Sequence, residues 1–316
     1  LSSFACHSSK SRGRIYNDEP LILGRSEFQR DRDRIIHSEA FRRLKDKTQV
    51  FIYHNGDHYR TRLTHTIEVA QIARSIAKAL NVNEDLAETI ALAHDLGHPP
   101  LGHRGEEVLK KLMINLGDFN HNEQTIRIVT FLEKKYHNFE GLNLTFETLE
   151  GLIKHNGPYL NNKKIPFSIL EINKQIPLEL SNFPSLEGQV ANISDDIAYL
   201  THDFDDGLRE KLFTINQLKE IEIVDLIIIK IKKKFPEIQM DILIHQLIRH
   251  LISYFINDIV STSQFIINQN NFKSVDEVRN FSDYVIKLSP IAFKNMEEIR
   301  KFLFKNMYHN KFILDK

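Results

Sequence analysis

The residues of this chain best suited to chemistry are an adjacent pair, His94-Asp95, placed just ahead of the break Gly97-His98-Pro99-Pro100. An imidazole and a carboxylate side by side at a helix end can converge on one divalent cation, because both are good ligands for borderline and hard ions. Two more groups invite the same reading. His65 shares a helical face with Val69, Ile72 and Ile76, so its ring is expected to point inward, as is that of His94, which shares a face with Ala87 and Ile90. Asp195 sits between Ala191 and Ala198 on a third apolar stripe. Taken singly, each is read as a satisfied polar group of the core. Taken together they need a common partner, since an unpaired buried charge is expensive, and one cation would satisfy all four.

The elements that must position these groups are helical. One stripe reads Leu63, Ile67, Ala70, Ala73, Ala77, Leu80, with Asn83 as a stop or a new cap. Leu86, Ile90 and Ala93 continue the period up to the double proline, which ends a helix because it lacks a donor and clashes with the preceding turn. Further helices are expected over about 106–116, 123–135, 146–154, 186–203, 224–233, 240–255, 275–288 and 296–304. No set of period-2 strands is found, so the fold is expected to be all-α. Residues 157–184 carry four prolines and read as a long loop, a length that is uncommon unless functional.

The chain has 41% apolar and 27% charged residues and no formal net charge, which excludes the broad basic footprint of a nucleic-acid binder. Between Arg25 and Lys47 the basic residues are interleaved with Glu27, Asp31, Asp33, Glu39 and Asp46, the pattern of a solvated, salt-bridged helix face or, as the alternative, of a phosphate-steering surface. A single cysteine, Cys6, cannot form an internal disulfide. The N-terminus lacks an apolar signal core and no apolar run reaches membrane-spanning length, so no membrane partner and a cytoplasmic location are expected. The first residue is Leu1 rather than Met, which suggests a fragment.

The order His…His-Asp…Asp resembles the HD superfamily of phosphohydrolases. Three longer strings are similar to its deoxynucleoside triphosphate triphosphohydrolase branch: Arg60-Thr61-Arg62-Leu63-Thr64-His65-Thr66-Ile67-Glu68-Val69-Ala70, Ala93-His94-Asp95-Leu96-Gly97-His98-Pro99-Pro100-Leu101-Gly102-His103-Arg104-Gly105-Glu106, and Asp195-Asp196-Ile197-Ala198-Tyr199-Leu200-Thr201-His202-Asp203. The likeness runs from about Asp31 to Leu208. It implies an N-terminal extension over residues 1–30, an HD helical core over 31–208 and an additional C-terminal helical region over 209–316. It implies His65, His94, Asp95 and Asp195 as ligands of one divalent ion, Mg²⁺ or Mn²⁺. By the same resemblance His103 and Glu106 are a catalytic pair and His121 is a further active-site group. Arg62 is then a triphosphate contact, Gln49 a contact of the sugar 3′-hydroxyl, and Tyr199 and Asp203 neighbours of the deoxyribose. His98, His155 and His202 are left as structural residues.

The implied reaction is water attack at the α-phosphorus of a deoxynucleoside triphosphate, releasing deoxynucleoside and tripolyphosphate. The competing expectations are an HD hydrolase of another nucleotide and a degenerate relative that binds without turnover. Family members usually carry a later Asp-Tyr…Gly-Met-Thr-Asp-like string, and none occurs between Gly207 and Lys316, so the C-terminal region is expected to be incomplete. A homo-oligomer is a further expectation of the resemblance.

Overall fold

The computed structural model describes residues 1–20, 24–49, 59–115, 117–160 and 164–308; the side chains of His103 and Tyr308 lie outside that description. Among the described residues the regular structure is helical: α1 (Glu27–Ile36), α2 (Glu39–Arg43), α3 (Arg62–Ala79), α4 (Glu84–Ala93), α5 (Gly102–Leu112), α6 (His121–Arg127), α7 (Phe146–Ile153), α8 (Phe167–Gln175), α9 (Leu186–Arg209), α10 (Ile215–Leu218), α11 (Glu222–Lys234), α12 (Met240–Asn270), α13 (Val275–Arg279) and α14 (Pro290–Leu303). Extended pairing there is limited to isolated bridges such as Thr48 with Thr61. The expected all-α class holds. No helix among the described residues is long and apolar enough to cross a membrane.

Two compact units divide the chain, the first made of Leu1–Ser194 with Ile266–Ile286, the second of Asp195–Phe265 with Lys287–Lys316. The first unit is built on α3, α4 and α7. Helix α3 starts where Thr61 and Thr64 form a reciprocal capping box, and α4 where the Asn83 side chain accepts from the Leu86 N–H. Such caps satisfy amide donors that the first turn leaves without partners. The buried face of α3 carries His65, Val69, Ala70, Ile72, Ala73, Ile76 and Ala77. Ile67, placed on the apolar stripe by periodicity, is 51% exposed instead. Gly151 of α7 lets α4 approach closely, since a Cβ there would lie 2.3 Å from Ile90 Cδ1.

Other sequence expectations need correction. The span 157–184 is not a bare loop: it contains α8, with Ile169 and Ile172 buried after Pro166. The charges of α1 are not simply solvated, because Arg30, Asp31 and Arg34 are buried. Asp31 pairs with Arg14, and Arg34 with Asp18 at 2.6 Å. Helix α13 stops at Arg279 rather than near 288; the Val285 and Ile286 N–H groups donate to Gln189 Oε1, so a side chain replaces the helical acceptors.

In the second unit α12 runs on to Asn270, beyond the expected end near 255, its last residues crossing into the first unit. Helix α14 begins at Pro290, earlier than expected, because Ser289 caps it and is itself held by Asp258 at 2.7 Å. In its core the Phe302 ring makes edge-on contacts with Phe204 and Phe213, which are tilted against each other.

Candidate metal centre

Arg62 and His65 lie on the first turn of α3, and His94 and Asp95 follow directly on α4, so four polar side chains are delivered by two helix ends. All four are nearly inaccessible. The His94 Nδ1–H donates to the Ala91 carbonyl oxygen at 2.6 Å, which leaves Nε2 with its lone pair for an ion. The His65 and His94 rings are 5.8 Å apart in an edge-on arrangement. Arg62 Nη1 donates to Asp95 Oδ2 at 2.7 Å. Burial by itself would raise the Asp95 carboxyl; the Arg62 guanidinium, aided by His94, His98 and His65, overrides it and holds the group well below the usual carboxylate range.

The peptide after this pair is gripped from both sides. Lys47 Nζ donates to the Leu96 carbonyl at 3.0 Å, and the Gly97 N–H donates to Thr125 Oγ1 of α6 at 2.9 Å. Position 97 must be glycine for α6 to sit there: a Cβ would fall 2.1 Å from the His121 carbonyl oxygen and 2.3 Å from the Thr125 nitrogen. Leu101 and Gly102, at φ of 64° and 53°, turn the chain left-handed into α5, which therefore begins four residues before its expected start. Lys47 is half-buried, and its ammonium is pushed down to about 8 by burial first and then by the Arg62 charge.

A second cluster stands beside the first. His98 Nε2 is 3.2 Å from Asp95 Oδ1, and the His98 ring stacks on that of His121 with centroids 3.9 Å apart. The His121 Nδ1–H points at both oxygens of Glu106, each at 3.1 Å, and Lys110 Nζ lies 3.3 Å from the same carboxylate. The residues His98, Glu106 and His121 present ligand-type atoms all within 4.8 Å of one another. The sequence reading left His98 aside as structural; the structure puts it against both Asp95 and His121. A usable signal was its place in the His-Asp-x-x-His string, but the helix ends at Ala93, so helical periodicity could not show which way the second ring points. His155, also set aside, has its ring 5.3 Å from that of His94.

His65, His94 and Asp195 each offer one ligand atom, and these lie within 4.8 Å of one another. Asp195 lies on helix α9 directly after Ser194. Two imidazoles and carboxylate oxygens, with one imidazole already oriented by a carbonyl, fit a divalent ion. Gln49 is buried, and its Oε1 has no hydrogen-bond partner among the described residues. Tyr199 and Asp203 lie one and two turns past Asp195, the first half-buried and the second fully buried. His103 is carried on the first turn of α5, its side chain outside the description.

Comparison with known proteins adds a family and relatives. The family model described as the HD domain matches residues 62–200. The chain is 47% identical over 317 residues to a deoxyguanosinetriphosphate triphosphohydrolase-like protein of Bartonella quintana (strain Toulouse), which covers 99% of this chain and 79% of that protein. Proteins with the same description in Rickettsia rickettsii (strain Iowa), at 47% identity over 308 residues, and Bradyrhizobium sp. (strain ORS 278), at 48% over 311, each align with 98% of the chain and 79% of their own length.

Proposed function

This chain belongs to the HD-domain family of deoxyguanosinetriphosphate triphosphohydrolase-like proteins, and we propose that it hydrolyses deoxynucleoside triphosphates to deoxynucleoside and tripolyphosphate. The observation that carries the reading is the pair of adjoining clusters, one suited to a divalent ion and the other to proton transfer. His65, His94, Asp95 and Asp195 would hold the ion, with Mg²⁺ or Mn²⁺ as the ion proposed because the two carboxylates suit hard cations. When bound, such an ion polarises phosphoryl oxygens and offsets charge that develops on them.

The remaining steps belong to the side chains. Water attacks the α-phosphorus, the bond to the 5′-oxygen breaks, and the proton given up by water has to be matched by one delivered to the departing oxygen. His121 is placed for that delivery, because Glu106 holds its Nδ1 and leaves the opposite ring nitrogen available. His103, on the same helix as Glu106, is assigned to this proton traffic as well. Arg62 supplies a guanidinium fork, which suits phosphate oxygens. Gln49 and Asp203 would hold the 3′-hydroxyl, and Tyr199 would pack on the sugar edge that bears no 2′-hydroxyl. Residues 31–208 form the catalytic core of this proposal, with a cytoplasmic location and a homo-oligomeric assembly as its further parts.

The test is incubation of the protein with each deoxynucleoside triphosphate and Mn²⁺, with the products identified by chromatography. Deoxynucleoside and tripolyphosphate are the expected products. Pyrophosphate with a monophosphate, or turnover restricted to another nucleotide class, would mark a different HD hydrolase.

A further inference from the structure

We infer that Lys47 is a second cationic contact for the polyphosphate chain, standing beside Arg62 at the edge of the metal centre. In the sequence Lys47 is only the last residue of the basic stretch that begins at Arg25. It leaves the short helical turn Leu44–Asp46 in an extended conformation, and its own carbonyl accepts the Arg62 N–H at 2.9 Å. The strand-like link of Thr48 with Thr61 continues this attachment to the start of α3. Its Nζ reaches the Leu96 carbonyl, one residue past Asp95. The ammonium is thus anchored by backbone on one side and by the His-Asp turn on the other.

The charge arrangement explains why an anion is wanted there. An ammonium carries three donors, and the Leu96 carbonyl takes one of them among the described residues. Arg62 spends one amino group on Asp95, while its buried Nε has no hydrogen-bond partner among the described residues. Two cations therefore face the Asp95 carboxylate, which would also be committed to the metal. Together with a divalent ion, they leave an excess of positive charge in a site that burial shields from water. A polyphosphate supplies several anionic oxygens, and a compact ammonium beside a planar guanidinium can meet two different ones.

This inference rests on the proposed function for its substrate, but its test does not require turnover. Binding of inorganic tripolyphosphate to the full chain is measured by calorimetry in the presence of Mn²⁺, for the unmodified protein, Lys47→Gln and Lys47→Arg. Metal binding is measured on the same samples by elemental analysis, and folding by circular dichroism. The expected result is tripolyphosphate binding weakened about tenfold or more in Lys47→Gln, as for loss of one charge-assisted hydrogen bond, and largely restored in Lys47→Arg, with the metal retained in both. Equal affinity in Lys47→Gln would overturn the inference. So would joint loss of metal and tripolyphosphate binding in both variants, which is the outcome for a lysine that only props the Leu96 carbonyl. Lys47-dependent tripolyphosphate binding in a chain that hydrolyses no deoxynucleotide would leave this inference standing and remove the proposed function.

Discussion

His98 and His121 stack face to face at 3.9 Å with their planes 19° apart, and each ring is held by a different carboxylate. Asp95 sits at the edge of His98, and Glu106 takes the Nδ1–H of His121. Asp95 thus belongs to both clusters, since it also faces His94 and accepts from Arg62. The metal centre and the proton-transfer pair are joined through this one side chain, so a change at one cluster should be felt differently at the other according to which carboxylate is altered.

Glu106→Gln should separate the two clusters. The amide keeps the shape but weakens the hold on His121, and positioned acid–base catalysis contributes roughly 10²–10⁴-fold. We expect kcat to fall by at least about 10²-fold, the lower end of that range, with KM changed little and the metal content unchanged. Steady-state kinetics beside elemental analysis checks this; loss of the ion in Glu106→Gln would count against the division of labour.

Asp195→Ala should remove the ion and hydrolysis together while helicity is kept. Asp195 offers a ligand atom to the His65 and His94 group and is half-buried, so its loss leaves two imidazoles and the Asp95 carboxylate to hold a cation. Full metal content in the purified variant would show that another residue supplies the fourth position.

Gly97→Ala tests the approach of α6. The new methyl group would have to displace backbone atoms of His121 and Thr125 rather than the end of a flexible side chain. Overpacking of this kind typically costs about 1–3 kcal/mol. A lower denaturant midpoint with an unchanged slope is expected, together with lower activity because His121 moves. Unchanged stability would mean that α6 can shift without cost.

Discrimination between sugars should depend on Tyr199. If its ring packs where a 2′-hydroxyl would sit, the unmodified protein hydrolyses dATP well ahead of ATP, and Tyr199→Ala narrows the gap. A pocket wall that rejects an added hydroxyl in this way is worth about 10²-fold. Equal rates on ATP and dATP for the unmodified protein would remove the assignment.

Acid stability should depend on Asp18. Burial opposes ionisation, but Arg34 first and then Arg30 hold the carboxyl below its ordinary value. A folded-state value below the unfolded one stabilises the fold above the unfolded value, about 3.9 for aspartate, and that stabilisation is lost as pH falls through the folded value. Thermal melts below about pH 4 should therefore show a steeper decline in the unmodified protein than in Asp18→Asn. Parallel curves would show that Asp18 contributes nothing to acid unfolding.

The helical class, the cap at Asn83, and the inward faces of His65 and His94 were legible in the sequence, because all of them depend on residues within about a turn of one another. The same locality explains the errors. Four prolines between 157 and 184 hid α8, whose helix needs only nine residues and two buried isoleucines. Ile67 fitted the apolar period but faces outward, since period alone does not say how wide a stripe the neighbouring helices will cover.

The pairing of side chains across elements was decided only by the tertiary structure. Glu106 and His121 are 15 residues apart, and their contact exists because Gly97 lets α6 lie against the His-Asp turn. Lys47 meets Leu96 over a separation of 49 residues, through an attachment of its backbone to α3. Residue types and spacing carry the identity of possible ligands; which donor meets which acceptor depends on the distance between packed backbones, and a single Cβ at position 97 would be enough to change it.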